Sequence, residues 1–180
     1  SHISNNTRFQ QYFHYNNYNN NNLSSFSISS IIRTITTTNV IMSSKSHPLI
    51  DKHAPKNLVL KNQEGESVEL NSYIGNQKPC IIFFYPQDET YEAGATVFGI
   101  SSDTVEKHKN FAKKQNLQFS LLSDPNGEAR RAFEVPKTLG LLPGRATFLI
   151  DKEGIIKDVY NSQLDFQGHA NKSLEFIKSQ

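Results

Sequence analysis

Three residues whose side chains could charge or shape a site lie at the ends of apolar runs. Pro86 and Thr90 follow the run that ends at Tyr85, and Arg145 immediately precedes a second run. A guanidinium is a fixed cation and a hydroxyl is a hydrogen-bond donor, so both can stabilise a negative charge on a nearby atom. However, Tyr91 follows Thr90, and no cysteine comes later in the chain. The sequence therefore offers groups that could stabilise an anion, but no thiol beyond Thr90.

The single cysteine, Cys80, lies six residues before Pro86, where an apolar run begins. No helix N-terminus is predicted behind it. A cysteine in a buried strand usually behaves as a small, inert hydrophobic residue. We therefore expect Cys80 to be a core residue and not a substitute nucleophile.

The histidines show no spacing of the kind that binds zinc. His47 and His53 fall in a loop, whereas His108 and His169 fall on separate predicted helices. We expect each of them to be a surface or packing residue. The sequence accordingly predicts neither a metal site nor a cofactor.

Two further motifs have structural interpretations. The adjacent Arg130 and Arg131 fall in a short predicted helix, where we expect both to lie on a solvated face. The segment from Gly140 to Gly144 resembles a phosphate-binding loop, but it lacks the Lys-Ser/Thr ending, and Pro143 removes a backbone donor. We interpret this segment as the turn that positions Arg145.

The composition fits one domain of ordinary size. The chain has 180 residues, of which 36% are hydrophobic and 20% charged. Its formal net charge is +2, and acidic and basic residues are interleaved after Asp51, so no single-sign surface for nucleic acid is expected. A single cysteine favours a reducing compartment, and no apolar run reaches the roughly 18 residues that span a bilayer. We expect an intracellular monomer that binds neither nucleic acid nor membranes.

Residues 1–47 form an Asn- and Ser-rich leader that we predict to be disordered. It contains no Asp or Glu and includes the Asn-rich tract 16–22, so it cannot bury enough apolar surface to fold. Such leaders are typical of mitochondrial or plastid transit peptides, in which residues 23–41 would form the amphipathic element. Two alternatives stay open, a low-complexity extension in a cytoplasmic protein and translated sequence upstream of a start at Met42. The opening on Ser1 suggests an incomplete N-terminus.

Residues 48–180 have the pattern of a single α/β domain, in which short apolar strands alternate with helical stretches. The apolar run from Ile81 to Tyr85 is typical of a strand covered on both faces. Asp103 and Glu106 have the spacing of a capping box at the start of a helix, and the turn 151–154 predicts an antiparallel hairpin. The predicted strands are 68–70, 81–85, 96–101, 119–122, 146–150 and 155–160, and the predicted helices are 104–115, 128–133 and 169–177.

Six motifs in this domain occur in the order found in one known family. They are Phe83-Phe84-Tyr85-Pro86 with Asp88-Glu89-Thr90, Gly99-Ile100-Ser101-Ser102-Asp103, Leu121-Leu122-Ser123-Asp124, Gly140-Leu141-Leu142-Pro143-Gly144-Arg145, Ile150-Asp151-Lys152 and Asn161-Ser162-Gln163-Leu164. With these motifs the chain resembles the peroxiredoxin Q group, also called bacterioferritin comigratory proteins. The resemblance implies a thioredoxin-like fold, with a central mixed sheet flanked by helices.

The resemblance also implies an activity. Members of the group reduce hydrogen peroxide and organic hydroperoxides with a cysteine thiolate, and thioredoxin recycles the oxidised enzyme through a disulfide. In the family an Arg supplies the cation, a Thr hydroxyl orients the peroxide, and a Pro shields the sulfenate. Arg145, Thr90 and Pro86 match these positions. The reactive cysteine itself has no counterpart here.

Family members place the reactive cysteine three residues after the Thr, and many carry a resolving cysteine five residues further on. In this chain roughly 17 family positions are absent after Thr90, which shortens the helical crossover that parallel neighbouring strands usually require. Only residues 87–95 remain as the link, which can span about 30 Å when extended but cannot form the covering helix. We therefore expect four apolar side chains to be partly uncovered: Ile81, Phe83, Val97 and Phe98.

Three functional interpretations stay open. The chain is a thioredoxin-dependent peroxidase by descent whose functional form carries the missing segment, so that the chain as written is inactive. Alternatively, it is a catalytically dead redoxin-fold protein that binds or regulates a partner through the uncovered sheet face. A third possibility is a redoxin that uses Cys80 in mixed disulfides with glutathione or protein thiols.

Overall fold

The computed structural model describes residues 47–84, 94–137 and 144–180. The predicted leader before His47, together with Pro86 and Thr90, lies outside the described residues. The strands are β1 (Val59–Lys61), β2 (Ser67–Glu69), β3 (Cys80–Phe84), β4 (Thr96–Ser101), β5 (Ser120–Ser123), β6 (Ala146–Ile150) and β7 (Ile156–Asn161). The helices are α1 (Val105–Gln115), α2 (Glu128–Ala132) and α3 (Phe166–Lys178), with a short 3-10 turn at Leu70–Ser72.

All seven strands form one mixed sheet in the order β2-β1-β5-β4-β3-β6-β7. Strands β3, β4 and β5 are parallel neighbours, whereas β6 is antiparallel to both β3 and β7. The predicted parallel pair and the predicted C-terminal hairpin are therefore confirmed, and the link between β3 and β4 joins adjacent parallel strands. Strand β1 was not predicted, because its three residues carry too little pattern to detect.

Side chains of β3 alternate between two apolar clusters, one on each face of the sheet. Cys80, Ile82 and Phe84 belong to the larger cluster. Ile81 and Phe83 belong to the smaller one, against which α1 and the end of α3 pack. This alternation explains why the run 80–84 is apolar at every position, since a strand covered on both faces has no solvated side.

The prediction that part of this sheet is uncovered is wrong. The exposed fractions are 0% for Ile81, 2% for Phe83, 5% for Val97 and 3% for Phe98. The first three are covered on their face by apolar residues of and next to α1 and α3, namely Phe111, Ala112, Leu117, Phe176 and Ile177, and by Ala95, which precedes β4. Phe98 lies in the other cluster, where its ring and the Tyr73 ring form a T-shaped pair with centroids 5.1 Å apart.

Two helix starts differ from the predictions. Helix α1 is capped by Thr104 and not by Asp103, because Thr104 has extended backbone and its hydroxyl accepts a hydrogen bond from Lys107 N at 3.4 Å. Helix α3 begins three residues earlier than predicted. The cause is the Asp165 carboxylate, which accepts a hydrogen bond from Gly168 N at 2.8 Å and so caps the helix.

Candidate active site

Arg145 lies where β3 ends and β6 begins. Phe84, the last residue of β3, pairs with Ala146, the first residue of β6. The chain therefore leaves β3 toward Pro86 beside the point at which Arg145 enters β6. Of the three predicted site residues the described ranges contain Arg145 alone, so the assignments of Pro86 and Thr90 stay predictions.

Gly144 fixes the backbone immediately before Arg145. It is buried, and a Cβ atom placed on it would overlap the carbonyl oxygen of Pro136. Only glycine permits this close approach of two backbones. Most of the predicted turn 140–144 lies outside the described residues, but its last residue is thus held against Pro136.

His169 of α3 connects β6 to the loop that follows β7. Its Nδ1 lies 2.7 Å from the Thr147 hydroxyl oxygen, and its Nε2 lies 2.8 Å from the Ser162 carbonyl oxygen. Because a carbonyl only accepts, Nε2 must donate, and in the neutral ring Nδ1 accepts from Thr147. Thr147 lies two residues after Arg145, so this bond ties α3 to the strand that presents the arginine.

Burial lowers the pKa of His169, and the positive charge of Arg145 lowers it further. The hydrogen bond to the Ser162 carbonyl and the carboxylate of Asp165 act in the opposite direction. The Tyr160 ring meets the imidazole edge to face, with centroids 4.7 Å apart, and the Tyr160 hydroxyl donates to Asp165. The buried imidazole next to Arg145 is therefore held neutral near pH 7.

Arg130 contradicts the prediction that Arg130 and Arg131 share a solvated face. Arg130 is half-buried, its Nη1 donates to the Gly144 carbonyl oxygen at 2.8 Å, and its guanidinium lies 5.4 Å from the centre of the Phe84 ring. Arg131 is exposed as predicted, and donates within its own turn to the Asn126 carbonyl oxygen at 2.7 Å. Consecutive helical residues point about 100° apart, so the helix can direct one arginine inward and the other toward solvent.

A sequence signal for Arg130 existed and was missed. Arg130 precedes the fully buried Phe133 by three residues, which places both on one side of the helix. The Phe133 ring contacts Phe84, with centroids 5.5 Å apart. An arginine three residues before a core aromatic would therefore be expected to reach inward.

Cys80 is a core residue, as predicted. It is fully buried, and burial raises the pKa of its thiol to about 12. In the sheet it pairs with Thr96 and Ile150, at the opposite end of β3 from Phe84. The two ends are four residue steps apart along the strand, or about 13 Å. The thiol is thus both protonated and distant from Arg145.

His108 and His169 are packing residues, as predicted. Both are buried, and His108 Nε2 lies 2.8 Å from the Ser101 hydroxyl oxygen.

Across residues 47–84, 94–137 and 144–180, no group of three or more His, Cys, Asp or Glu side chains could hold a metal ion. Over the same ranges, no helix is both long enough and apolar enough to cross a membrane.

Comparisons with known proteins agree with this architecture. The profile of the AhpC/TSA family matches residues 87–159. The chain is 42% identical over 143 residues to the chloroplastic peroxiredoxin Q of Sedum lineare, which covers 69% of this chain and 76% of that protein. The chain belongs to the peroxiredoxin Q group of the AhpC/TSA family. The chloroplastic peroxiredoxin Q of Triticum aestivum is 41% identical over 143 residues, which cover 69% of this chain and 65% of that protein.

Solved structures confirm the thioredoxin-like fold of this peroxiredoxin. Peroxidoxin BcpB from Mycobacterium tuberculosis superposes with a TM-score of 0.61 at 28% identity, over 74% of this chain and 98% of that one. Peroxiredoxin Q of Xanthomonas campestris gives a TM-score of 0.58 at 28% identity, over 69% of this chain and 92% of that one. Because the single cysteine is buried in β3, this member of the group has an altered active site.

Proposed function

We propose that this chain is the scaffold of a thioredoxin-dependent peroxidase and that, as written, it does not reduce peroxides. The reactive cysteine belongs to a segment that is absent between Thr90 and Tyr91. The pairing of Phe84 with Ala146 carries the proposal, because it keeps Arg145 beside the point where the chain leaves β3 toward Pro86. This position of Arg145 supports a catalytic role for it, although the nucleophile is missing.

The roles follow from the chemistry of peroxide reduction. With the segment present, a cysteine thiolate attacks one peroxide oxygen and the O–O bond breaks. The cysteine becomes a sulfenic acid, and the other oxygen leaves as water or an alcohol after it takes a proton. Arg145 lowers the thiolate pKa and stabilises the leaving oxygen, Thr90 orients the peroxide, and Pro86 shields the sulfenate. A thiol reductant such as thioredoxin then restores the thiol.

The names of related proteins support the substrate and the location. One structural match, with a TM-score of 0.57 and 29% identity, is described by the alkyl peroxide reduction activity of the bacterioferritin comigratory protein of Xanthomonas campestris. The plant relatives are chloroplastic, which favours a plastid over the mitochondrion or the cytoplasm and agrees with a transit peptide in residues 1–47. We further propose a monomer that binds neither nucleic acid nor membranes.

The two other interpretations of the sequence have lost their basis. Partner binding through an uncovered sheet face required Ile81, Phe83, Val97 and Phe98 to be partly uncovered, and all four are buried. Mixed-disulfide chemistry required a reactive Cys80, and its thiol is buried with a pKa near 12. The geometry therefore best supports the scaffold of a peroxidase that lacks its reactive thiol.

Two measurements test this proposal. Purified chain, combined with thioredoxin, thioredoxin reductase and NADPH, should consume hydrogen peroxide at the rate of the protein-free control. Sequencing transcripts across the codons for Thr90 and Tyr91 should reveal forms that encode an in-frame cysteine-containing segment. Peroxide turnover well above the control, by a chain verified to lack the segment, would contradict the proposal.

A further inference from the structure

We propose that Arg130 is a positioning residue that holds the peptide in front of Arg145 in the orientation required by the peroxide site. The role that we assign to Arg130 rests on the proposed function, whereas the contacts of its side chain do not. No family motif found in the sequence includes Arg130. The inference depends on its hydrogen bond to Gly144, its contact with Phe84, and its anchoring by Asp124.

The first contact fixes the peptide group that precedes Arg145. Arg130 Nη1 donates to the carbonyl oxygen of Gly144 at 2.8 Å. That carbonyl and the backbone N–H of Arg145 belong to the same planar peptide unit. A bond to the oxygen therefore restrains the rotation of the unit that leads into Arg145. On its other side, Gly144 is held against Pro136.

The second contact joins the same guanidinium to β3. The Arg130 guanidinium lies over the Phe84 ring, 5.4 Å from its centre, in a cation–π arrangement. Phe84 is the last residue of β3 and pairs with Ala146. One side chain thus touches both chain segments that bound the candidate site, the end of β3 and the start of β6.

The backbone of Arg130 is also held in place. The buried Asp124 carboxylate accepts hydrogen bonds from Ala129 N at 3.2 Å and from Arg130 N at 3.0 Å. Burial lowers the pKa of the Arg130 guanidinium, and the negative charge of Asp124 opposes that effect. Asp124 therefore anchors the start of α2 and favours the charged guanidinium that bonds to Gly144.

Arg131 offers a matched control within the same helix. Its Nη1 also donates to a backbone carbonyl oxygen, that of Asn126, at 2.7 Å. This bond stays within one turn and does not reach the Arg145 segment. Arg131→Met removes the same type of side chain and the same type of hydrogen bond, but should leave the candidate site unchanged.

The test measures the Arg145 side chain in the full chain, without peroxide or thioredoxin. Each arginine in 15N-arginine-labelled protein gives one Nε–H signal, and Arg145 Nε is buried. Arg130→Met keeps much of the apolar bulk over Phe84 but removes the donor to Gly144. Loss of this hydrogen bond should accelerate the exchange of the Arg145 Nε–H proton with solvent by about tenfold or more. Arg131→Met should leave that exchange rate unchanged.

The pattern of effects separates positioning from general stability. Loss of a merely structural contact would accelerate amide exchange across β3, β4 and β6 together, whereas loss of positioning should affect Arg145 and Ala146 selectively. An Arg145 exchange rate within about twofold of the parent in Arg130→Met would overturn the proposal. If Arg130→Met does not fold, Arg130→Leu, which also lacks a donor, takes its place with the same two outcomes. A peroxidase assay plays no part, so failure here is distinct from failure of the proposed function.

Discussion

Cys80 should be almost unreactive in the native protein. The relevant perturbation is an excess of a thiol reagent such as dithiobis(nitrobenzoic acid), or of hydrogen peroxide, at pH 7. Burial raises the pKa of the Cys80 thiol to about 12, so about one molecule in 10⁵ carries the thiolate at that pH. An exposed cysteine with a pKa of about 8.5 is about 3% thiolate. The difference predicts reaction at least roughly three thousand times slower than for an exposed thiol.

The assay compares native protein with protein unfolded in guanidinium chloride. Cys80 is fully buried, so a reagent must also wait for the sheet to open, which slows the native reaction further. Unfolded protein should release one equivalent of coloured product per chain at the rate of a model peptide. Cys80→Ala is the suitable control, because Cys80→Ser would bury a hydroxyl at a cost of about 1–3 kcal/mol if it found no partner.

A rapid native reaction would refute this reasoning. If native Cys80 reacted within about tenfold of the model peptide's rate, its thiol would not be buried as described. Peroxide consumption that required Cys80 and disappeared in Cys80→Ala would go further. It would restore this thiol as a candidate nucleophile.

Three other predictions follow from the fold and the site. Limited proteolysis should remove the leader and leave a fragment that begins near His47 and still unfolds cooperatively on heating; loss of cooperative unfolding after deletion of residues 1–41 would place the domain boundary elsewhere. His108 and His169 have pKa values lowered by burial, so the folded state binds fewer protons than the unfolded state, and stability should fall as the pH drops below about 6.5. Urea unfolding at pH 5 and 7.5 measures this, and the pH dependence should shrink when both are replaced by Gln. Gly144→Ala should lower stability by about 1–3 kcal/mol, because its Cβ would overlap the Pro136 carbonyl; denaturant unfolding with no loss of stability would show that this backbone can move apart.

Local pattern predicted the elements that depend on their own residues. Strand β4 has the predicted bounds, because six residues that are nearly all buried leave little ambiguity. Strand β5 begins one residue later than predicted. The hairpin followed from its turn, where Asp151 Oδ1 accepts hydrogen bonds from Glu153 N and Ile155 N. Elements that are stabilised by contacts between residues close in sequence can be predicted from the sequence.

Contacts between distant segments were the source of the errors. Ile81 and Phe83 are covered by α1 and α3. The prediction that they are uncovered considered only a helix in the shortened crossover. Arg130 reaches Gly144, 14 residues away in sequence, and His169 reaches Thr147, 22 residues away. Arg145 was predicted through its family motif. The spacing of Arg130 and Phe133 could have indicated that Arg130 points inward, but no local signature identifies Gly144 as its partner or Thr147 as the partner of His169.

The central claim is that the scaffold lacks only its thiol-bearing segment. The most direct test inserts a family-typical segment of roughly 17 residues, with its reactive and resolving cysteines, between Thr90 and Tyr91, where a helical crossover is normally found. Since Ile81 and Phe83 are already buried, the insertion should change the melting temperature little. The measurement is NADPH-coupled reduction of hydrogen peroxide by thioredoxin. We expect turnover well above background, severe loss in Arg145→Ala, and none when the inserted reactive cysteine is replaced by Ser. A folded repaired protein without turnover, or one whose Arg145→Ala variant keeps full activity, would contradict the account.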